Sequence, residues 1–197
     1  MGMISKALED RLIARAKAGD GEAIAGLIRS HQDALYAFIL RMSQRPDVAE
    51  DVVQEAFVRV LKNIDRFDER FRFSTWLFTI ARRLYVNSAQ KRRPAYDSET
   101  VAASEGAFRT PIGVSSRFES LENARGIIDA ALCGLSEQQR EIILLFHQQN
   151  WPIVEIAVHL QMPEGTVKSH LHRARKRMRR LIESNSTMNR HVEEIFG

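Results

Sequence analysis

Cysteine is nearly missing from this chain. Cys133 is the only one in 197 residues, which excludes an internal disulfide framework and any zinc site built on thiolates. Its apolar setting suggests a small core residue. No run of eighteen apolar residues occurs, so no membrane insertion is expected. The opening stretch MGMISKALEDRL is amphipathic and carries acids, unlike a charged-then-apolar export signal, and a cytoplasmic protein is the expectation. Also absent are a Walker loop, an H-E-x-x-H, a G-x-S-x-G and a glycine-rich dinucleotide turn. Neither catalysis nor a cofactor is therefore expected. His170 and His172 do not make a metal pair either, since residues two apart on a helix point to nearly opposite sides.

What is present is helical periodicity and clustered positive charge. Hydrophobic residues make up 44% of the chain, enough for packed cores, and 29 basic residues stand against 25 acidic ones. The surplus is local. Between Lys168 and Arg180 there are seven Lys/Arg and no acid, a density that repels itself unless a polyanion neutralises it. In the same stretch Val167, Leu171, Ala174, Met178 and Leu181 recur at helical spacing and mark an inward face. Just upstream, Ile153 to Leu160 reads as a short helix with Ile153, Ile156, Ala157 and Leu160 inward, followed by the break Gln161-Met162-Pro163. A short helix, a brief turn and a longer basic helix make a helix-turn-helix, and nucleic acid is the expected partner. The plainer reading is a solvated basic helix capping a bundle.

Taken in order, Ser5 to Ala18 reads as a first helix ended by Gly19, and Asp20 caps the next. From Ala23 to about Met42 an unbroken apolar stripe predicts a long core helix, with His31 inside it as a core or boundary histidine. Pro46 breaks the pattern, and Asp47 with Glu50 resembles a capping box opening a helix from Val48 to Ile64. Its outer side carries Glu50, Asp51, Gln54 and Glu55. Acids there suit the helix dipole, and they also suit a basic protein partner. Phe67, Phe71 and Phe73 populate a connector, and Ser74 is a good N-cap for a helix from Thr75 to about Lys91. On that helix Trp76 and Tyr85 interleave with Arg82 and Arg83, the mixture that single-stranded nucleic acid requires. Core packing is the competing fate of Trp76.

Residues 94–120 hold two Pro, two Gly and five Ser without sustained periodicity, and are expected to be a flexible linker. Helical pattern resumes at Leu121 and ends at Gly134. Ser136 and Gln139 then form a capping box for a helix from Glu137 to about Gln148. The fold expected is all-α: two small helical domains, 1–93 and 121–183, joined by that flexible linker, with a short tail over 184–197.

DVAEDVVQEAFVRVLKNIDRFD, FSTWLFTIARR, LSEQQREIILLF and EIAVHLQMPEGTVKSHLHRARKRM, in that order, resemble the extracytoplasmic-function sigma factors of bacterial RNA polymerase. The resemblance implies a transcription initiation factor that binds core RNA polymerase and promoter DNA, both duplex and melted non-template strand, and is restrained by an anti-sigma factor. It places polymerase contacts at Asp51, Gln54 and Glu55, and minus-ten contacts at Trp76, Arg82, Arg83 and Asn87. Minus-thirty-five base contacts fall at Lys168, Ser169, His172 and Arg173, which the apolar stripe turns outward, and Arg175, Lys176, Arg179 and Arg180 are expected on phosphates. Several residues depart from the family pattern: Arg83 stands where Asn is common, Asn87 where Asp is frequent, His170 where Arg is frequent, and Trp151-Pro152 replaces the usual Gly-led opening of the helix-turn-helix. A stand-alone helix-turn-helix regulator is the alternative, and it predicts a dimer that binds its promoter unaided.

Overall fold

The computed structural model describes residues 5–92 and 116–184. Every regular element among them is a helix, and the chain divides into two compact units at about Ala102. Each unit is described by itself.

The first unit contains α1 (Lys6–Lys17), α2 (Gly21–Ser43), α3 (Pro46–Lys62), a 3-10 turn (Ile64–Arg66) and α4 (Phe73–Arg92). Asp20 caps α2 as expected, its carboxylate accepting from the backbone N–H groups of Glu22 and Ala23. The apolar stripe of α2 is buried through Leu27, Leu35, Phe38 and Ile39 against Val52, Ala56 and Val60 of α3 and Leu77, Phe78 and Ala81 of α4. Each of the larger side chains contributes ~1.5–3 kcal/mol by leaving water. The rings of Phe38 and Phe78 meet at 5.2 Å. Tyr85 fastens the second half of α4 to the end of α2 by donating its hydroxyl to the Met42 carbonyl at 3.2 Å. His31 is buried, as the stripe predicts, with its Nε2 3.0 Å from Glu9 Oε1 of α1. That approach is close enough for an ion pair, but it lies off the line of a hydrogen bond.

Two helix starts differ from the sequence expectation. α3 begins at Pro46, so Asp47 lies inside the first turn rather than at the cap; its carboxylate takes the Arg45 guanidinium, with Nε to Oδ1 at 3.1 Å. Proline has a preset φ and no N–H to satisfy, which makes it an initiator here, while it holds Arg45 extended at φ −137°. α4 begins at Phe73, one residue before the expected cap at Ser74, because Phe73 is itself a core residue packed on His31, Phe67 and Trp76.

The second unit contains α5 (Ser116–Cys133), α6 (Glu137–Ile143), a π-helical continuation (Leu144–Gln148), α7 (Ile153–Leu160) and α8 (Glu164–Ser184). α5 starts five residues before the expected Leu121, so the end of the 94–120 stretch is helical; residues 93–115 and 185–197 lie outside the described residues. Cys133 is exposed, against the expectation of a core position. It ends α5 just past Ala131 and Leu132, which take the inward places. Ser136 caps α6 by accepting from the Gln139 N–H at 3.4 Å, but Gln139 Oε1 makes no reciprocal bond, so the capping box is half formed. Arg140 closes the turn by donating to the carbonyls of Leu132, Cys133 and Leu135.

Pro152 precedes α7 with extended backbone, and Trp151 beside it is the largest fully buried side chain of the unit. The substitution of Trp-Pro for a small opening residue is thus absorbed into the core. Trp151 packs edge-on against His159 at 5.2 Å, and His159 Nε2 lies 3.4 Å from Glu141 Oε1 with both side chains buried. The α7–α8 turn passes through Gln161 in the left-handed region at φ 54°.

Candidate nucleic-acid interface

α8 divides as its periodicity requires. Val167, Leu171 and Ala174 are buried and Met178 is half-buried, while Lys168, Ser169, His172 and Arg173 are all exposed. A helix turns about 100° per residue, so these four occupy one sector in its N-terminal half. Lys168 lies 3.7 Å from Glu164 one turn back, and Arg173 donates Nε to the Ser169 carbonyl at 3.3 Å. Both heads therefore stay on the surface, within reach of a ligand. Lys176, Arg179 and Arg180 are exposed further along. At 1.5 Å per residue, Arg180 sits about 10 Å beyond Arg173 on nearly the same sector.

Arg175 behaves differently from the other cations. It lies near the edge of the buried stripe, donates Nε to His147 Nε2 at 3.1 Å and covers the Phe146 ring at 5.2 Å. Partial burial, and then the Arg175 charge, hold the His147 imidazole below its ordinary value. His170 is lowered for the same two reasons, burial first and Arg173 second, and its Nδ1 is buried without a partner. The expectation for Arg175 identified the charge but not this tether. His147, Glu141 and His159 carried no signal at the sequence level, and Phe146 only that of a core position, because each meets its partner from another helix.

In the first unit the structure gathers Trp76, Arg83 and Asn87 on one face of α4, at spacings of seven and four. Arg82 falls about 120° away by helical rotation and is not on that face. Arg83 and Asn87 are exposed, and Arg82 is half-buried. Trp76 is also half-buried, its ring 5.2 Å from Phe67 and 6.0 Å from Phe73. It is thus both a packing residue and an available aromatic face, which merges the two readings open in the sequence. Asn87 also borders a hollow of about 480 Å³ with Arg59, Leu84, Ser88 and Gln90. In the connector, Asp68 binds Arg70 at 2.6 Å, which lowers the Asp68 carboxyl to about 2. Phe71 stands 60% exposed next to it.

Asp51, Gln54 and Glu55 are exposed on α3, and Glu55 pairs with Arg59 one turn on at 2.6 Å. Gln54 and Glu50 border a hollow of about 590 Å³ whose apolar floor is Ile28, Tyr36, Val53, Phe57 and Val58. The contribution of α2, including Gln32 and Asp33, was not visible in the sequence, because only packing brings the two helices side by side. No group of three or more His, Cys, Asp or Glu placed to hold a metal occurs among the described residues. No helix among them is long and apolar enough to cross a membrane.

Comparison with known proteins finds one family match within each unit. Residues 27–94 match the family model of sigma-70 region 2, and residues 125–178 match that of sigma-70 region 4. The chain is 35% identical over 178 residues to the ECF RNA polymerase sigma factor SigW of Bacillus subtilis, covering 86% of this chain and 94% of that one. It is 31% identical over 180 residues to the ECF sigma-E factor of Escherichia coli, covering 88% and 94%. Among solved structures, the sigma factor RpoE of Bartonella quintana, in complex with the anti-sigma factor NepR, aligns with a TM-score of 0.63 at 27% identity, over 82% of this chain and 97% of that one.

Proposed function

Since this chain belongs to the extracytoplasmic-function sigma factors, the initiation subunits that direct RNA polymerase to promoters, we propose how its surfaces divide that work. The acidic side of α3, with Asp51, Gln54 and Glu55, docks on a basic surface of core polymerase. Support comes from the exposure of all three residues and from the apolar hollow beside them, which gives a charged contact something to bury. Trp76, Arg83 and Asn87 take the melted non-template strand of the minus-ten element, a base stacking on the indole while the guanidinium meets phosphate. Arg82 lies round the helix from these three and can serve only a different part of the strand. Lys168, Ser169, His172 and Arg173 read base edges of the minus-thirty-five element in the major groove, and Lys176, Arg179 and Arg180 hold phosphates. Arg175 reaches phosphate only by leaving His147 and Phe146.

In this reading residues 1–93 and 121–183 act as separate domains, and the chain works in the cytoplasm with polymerase, which supplies all the catalysis. An anti-sigma factor of the kind bound to the Bartonella protein is the inhibitory partner. The observation that carries the reading is the division of α8 into a buried apolar stripe and an exposed cationic sector. Transcription from a promoter library tests it. Trp76→Ala should lower output at promoters of any minus-ten sequence, since stacking accepts every base, while Arg173→Ala should act according to minus-thirty-five sequence. Unchanged output with Trp76→Ala, or a uniform loss with Arg173→Ala, would reject these assignments.

A further inference from the structure

Helix α1 lies ahead of the region 2 match, which starts at residue 27, and the surfaces assigned above make no use of it. Its last turn nevertheless reaches the segment that leads into α4. Lys17 donates Nζ to the Phe67 backbone carbonyl at 3.4 Å and pairs with Glu69 Oε1 at 2.8 Å. The base of α1 is itself fixed, since Arg15 binds Asp20, the cap of α2, at 2.7 Å. Within the segment, Asp68 accepts from the backbone N–H and the guanidinium of Arg70, and the Phe71 N–H donates to the Asp68 carbonyl at 3.1 Å. Those bonds make a turn that is rigid in itself. Lys17 ties that turn to the helical body, at the residue whose ring rests against Trp76 at 5.2 Å.

We propose that Lys17 is a positioning residue for the reading of the melted strand: by holding the Phe67 carbonyl it sets where the Phe67 ring stands, and so where Trp76 presents its face to a base. The inference rests on the assignment of Trp76 to the minus-ten strand. Stacking demands a ring held at a set height and tilt, and a side chain half packed on a neighbour inherits that neighbour's position. The pair itself is partly solvated, with Lys17 26% and Glu69 63% exposed, so removing it leaves the fold standing.

The test uses holoenzyme assembled from the full chain and core polymerase. The probe is a labelled single strand spanning the minus-ten element of a promoter that the holoenzyme transcribes. Lys17→Met keeps the aliphatic stem and loses the donors. It should weaken binding of this strand about 2- to 12-fold, the range for loss of one hydrogen bond. Lys17→Arg should restore most of the affinity, and Glu69→Ala, which removes the nearer anchor, should lower it in the same direction. Affinity for duplex minus-thirty-five DNA should not change, and the melting midpoint should fall by no more than several degrees. In the free chain, with Trp151 replaced by Phe, the emission of the remaining Trp76 should shift in Lys17→Met before polymerase or DNA is added. If Trp76→Ala weakens strand binding while Lys17→Met and Glu69→Ala do not, the positioning role is wrong and the assignment of Trp76 stands. If Trp76→Ala has no effect, that assignment falls and the role of Lys17 with it.

Discussion

Among the charged residues of α8, chemistry and place along the helix decide what each can do. Arg173 offers a planar fork in the half proposed to enter a groove, so Arg173→Ala should cost ~1–3 kcal/mol on the cognate minus-thirty-five element and flatten discrimination at one base. Arg180→Ala, about 10 Å further along, should weaken all sequences alike and reduce the salt dependence. Affinity measured across salt concentration for both variants checks the pair. On α3, Glu55→Lys sets a second cation beside Arg59, which costs a few tenths of a kcal/mol in helix stability. At a basic interface the reversed charge should cost several kcal/mol, enough to abolish co-purification with core polymerase while melting barely moves. The histidines make a prediction in pH. With their folded values below the ordinary ~6.5, His147 and His170 stay neutral in the fold while the unfolded chain takes up protons. Their contribution is complete above pH about 6.5, is lost as pH falls below it, and levels off once the folded imidazoles are themselves protonated. Chemical denaturation from pH 7.5 down to 5 should show that slope, and the double variant His147→Gln, His170→Asn should reduce it.

On α2 and α8 apolar periodicity was sufficient: Leu27, Leu35 and Phe38, and Val167, Leu171 and Ala174, are buried as their spacing requires, whereas Leu8 on α1 and Ile128 on α5 follow the same spacing and stand exposed. Helix ends were less legible, for specific reasons. Pro46 both breaks a preceding helix and initiates a following one, and its neighbours do not say which; Phe73 starts α4 because its ring is needed in the core, a tertiary demand with no local signature. Exposure was legible where residues share one helix, as Lys168, Ser169, His172 and Arg173 do. The α2 side of the hollow beside Gln54, the Arg175–His147 contact and the Lys17–Phe67 bond join separate elements, and no spacing within one element encodes them. One turn gives a direct test of backbone strain. Gln161 ends α7 at φ 54°, which costs a side-chain-bearing residue ~1–2 kcal/mol and a glycine nothing. Gln161→Gly should hold or raise the melting midpoint, whereas Gln161→Val, β-branched and least suited to that region, should lower it.

At the scale of the whole molecule, the two compact units carry different chemistry. The first joins an acidic face to an aromatic and cationic one, and the second carries a cationic helix on a packed base. A self-sufficient repressor or activator needs only the second kind of surface and a way to dimerise. The acidic face of α3 is assigned here to a third body, the polymerase, which a stand-alone regulator would not need. Promoter recognition is therefore expected of the complex rather than of the chain alone. The direct measurement is transcription in vitro over genomic promoter fragments, with core polymerase alone, with the chain alone, and with both, mapping start sites. Defined start sites downstream of shared minus-thirty-five and minus-ten sequences should arise only when both are present, and Glu55→Lys should abolish them. Tight, sequence-specific promoter binding by a dimer of the isolated chain, with no new start sites on adding polymerase, would contradict the account.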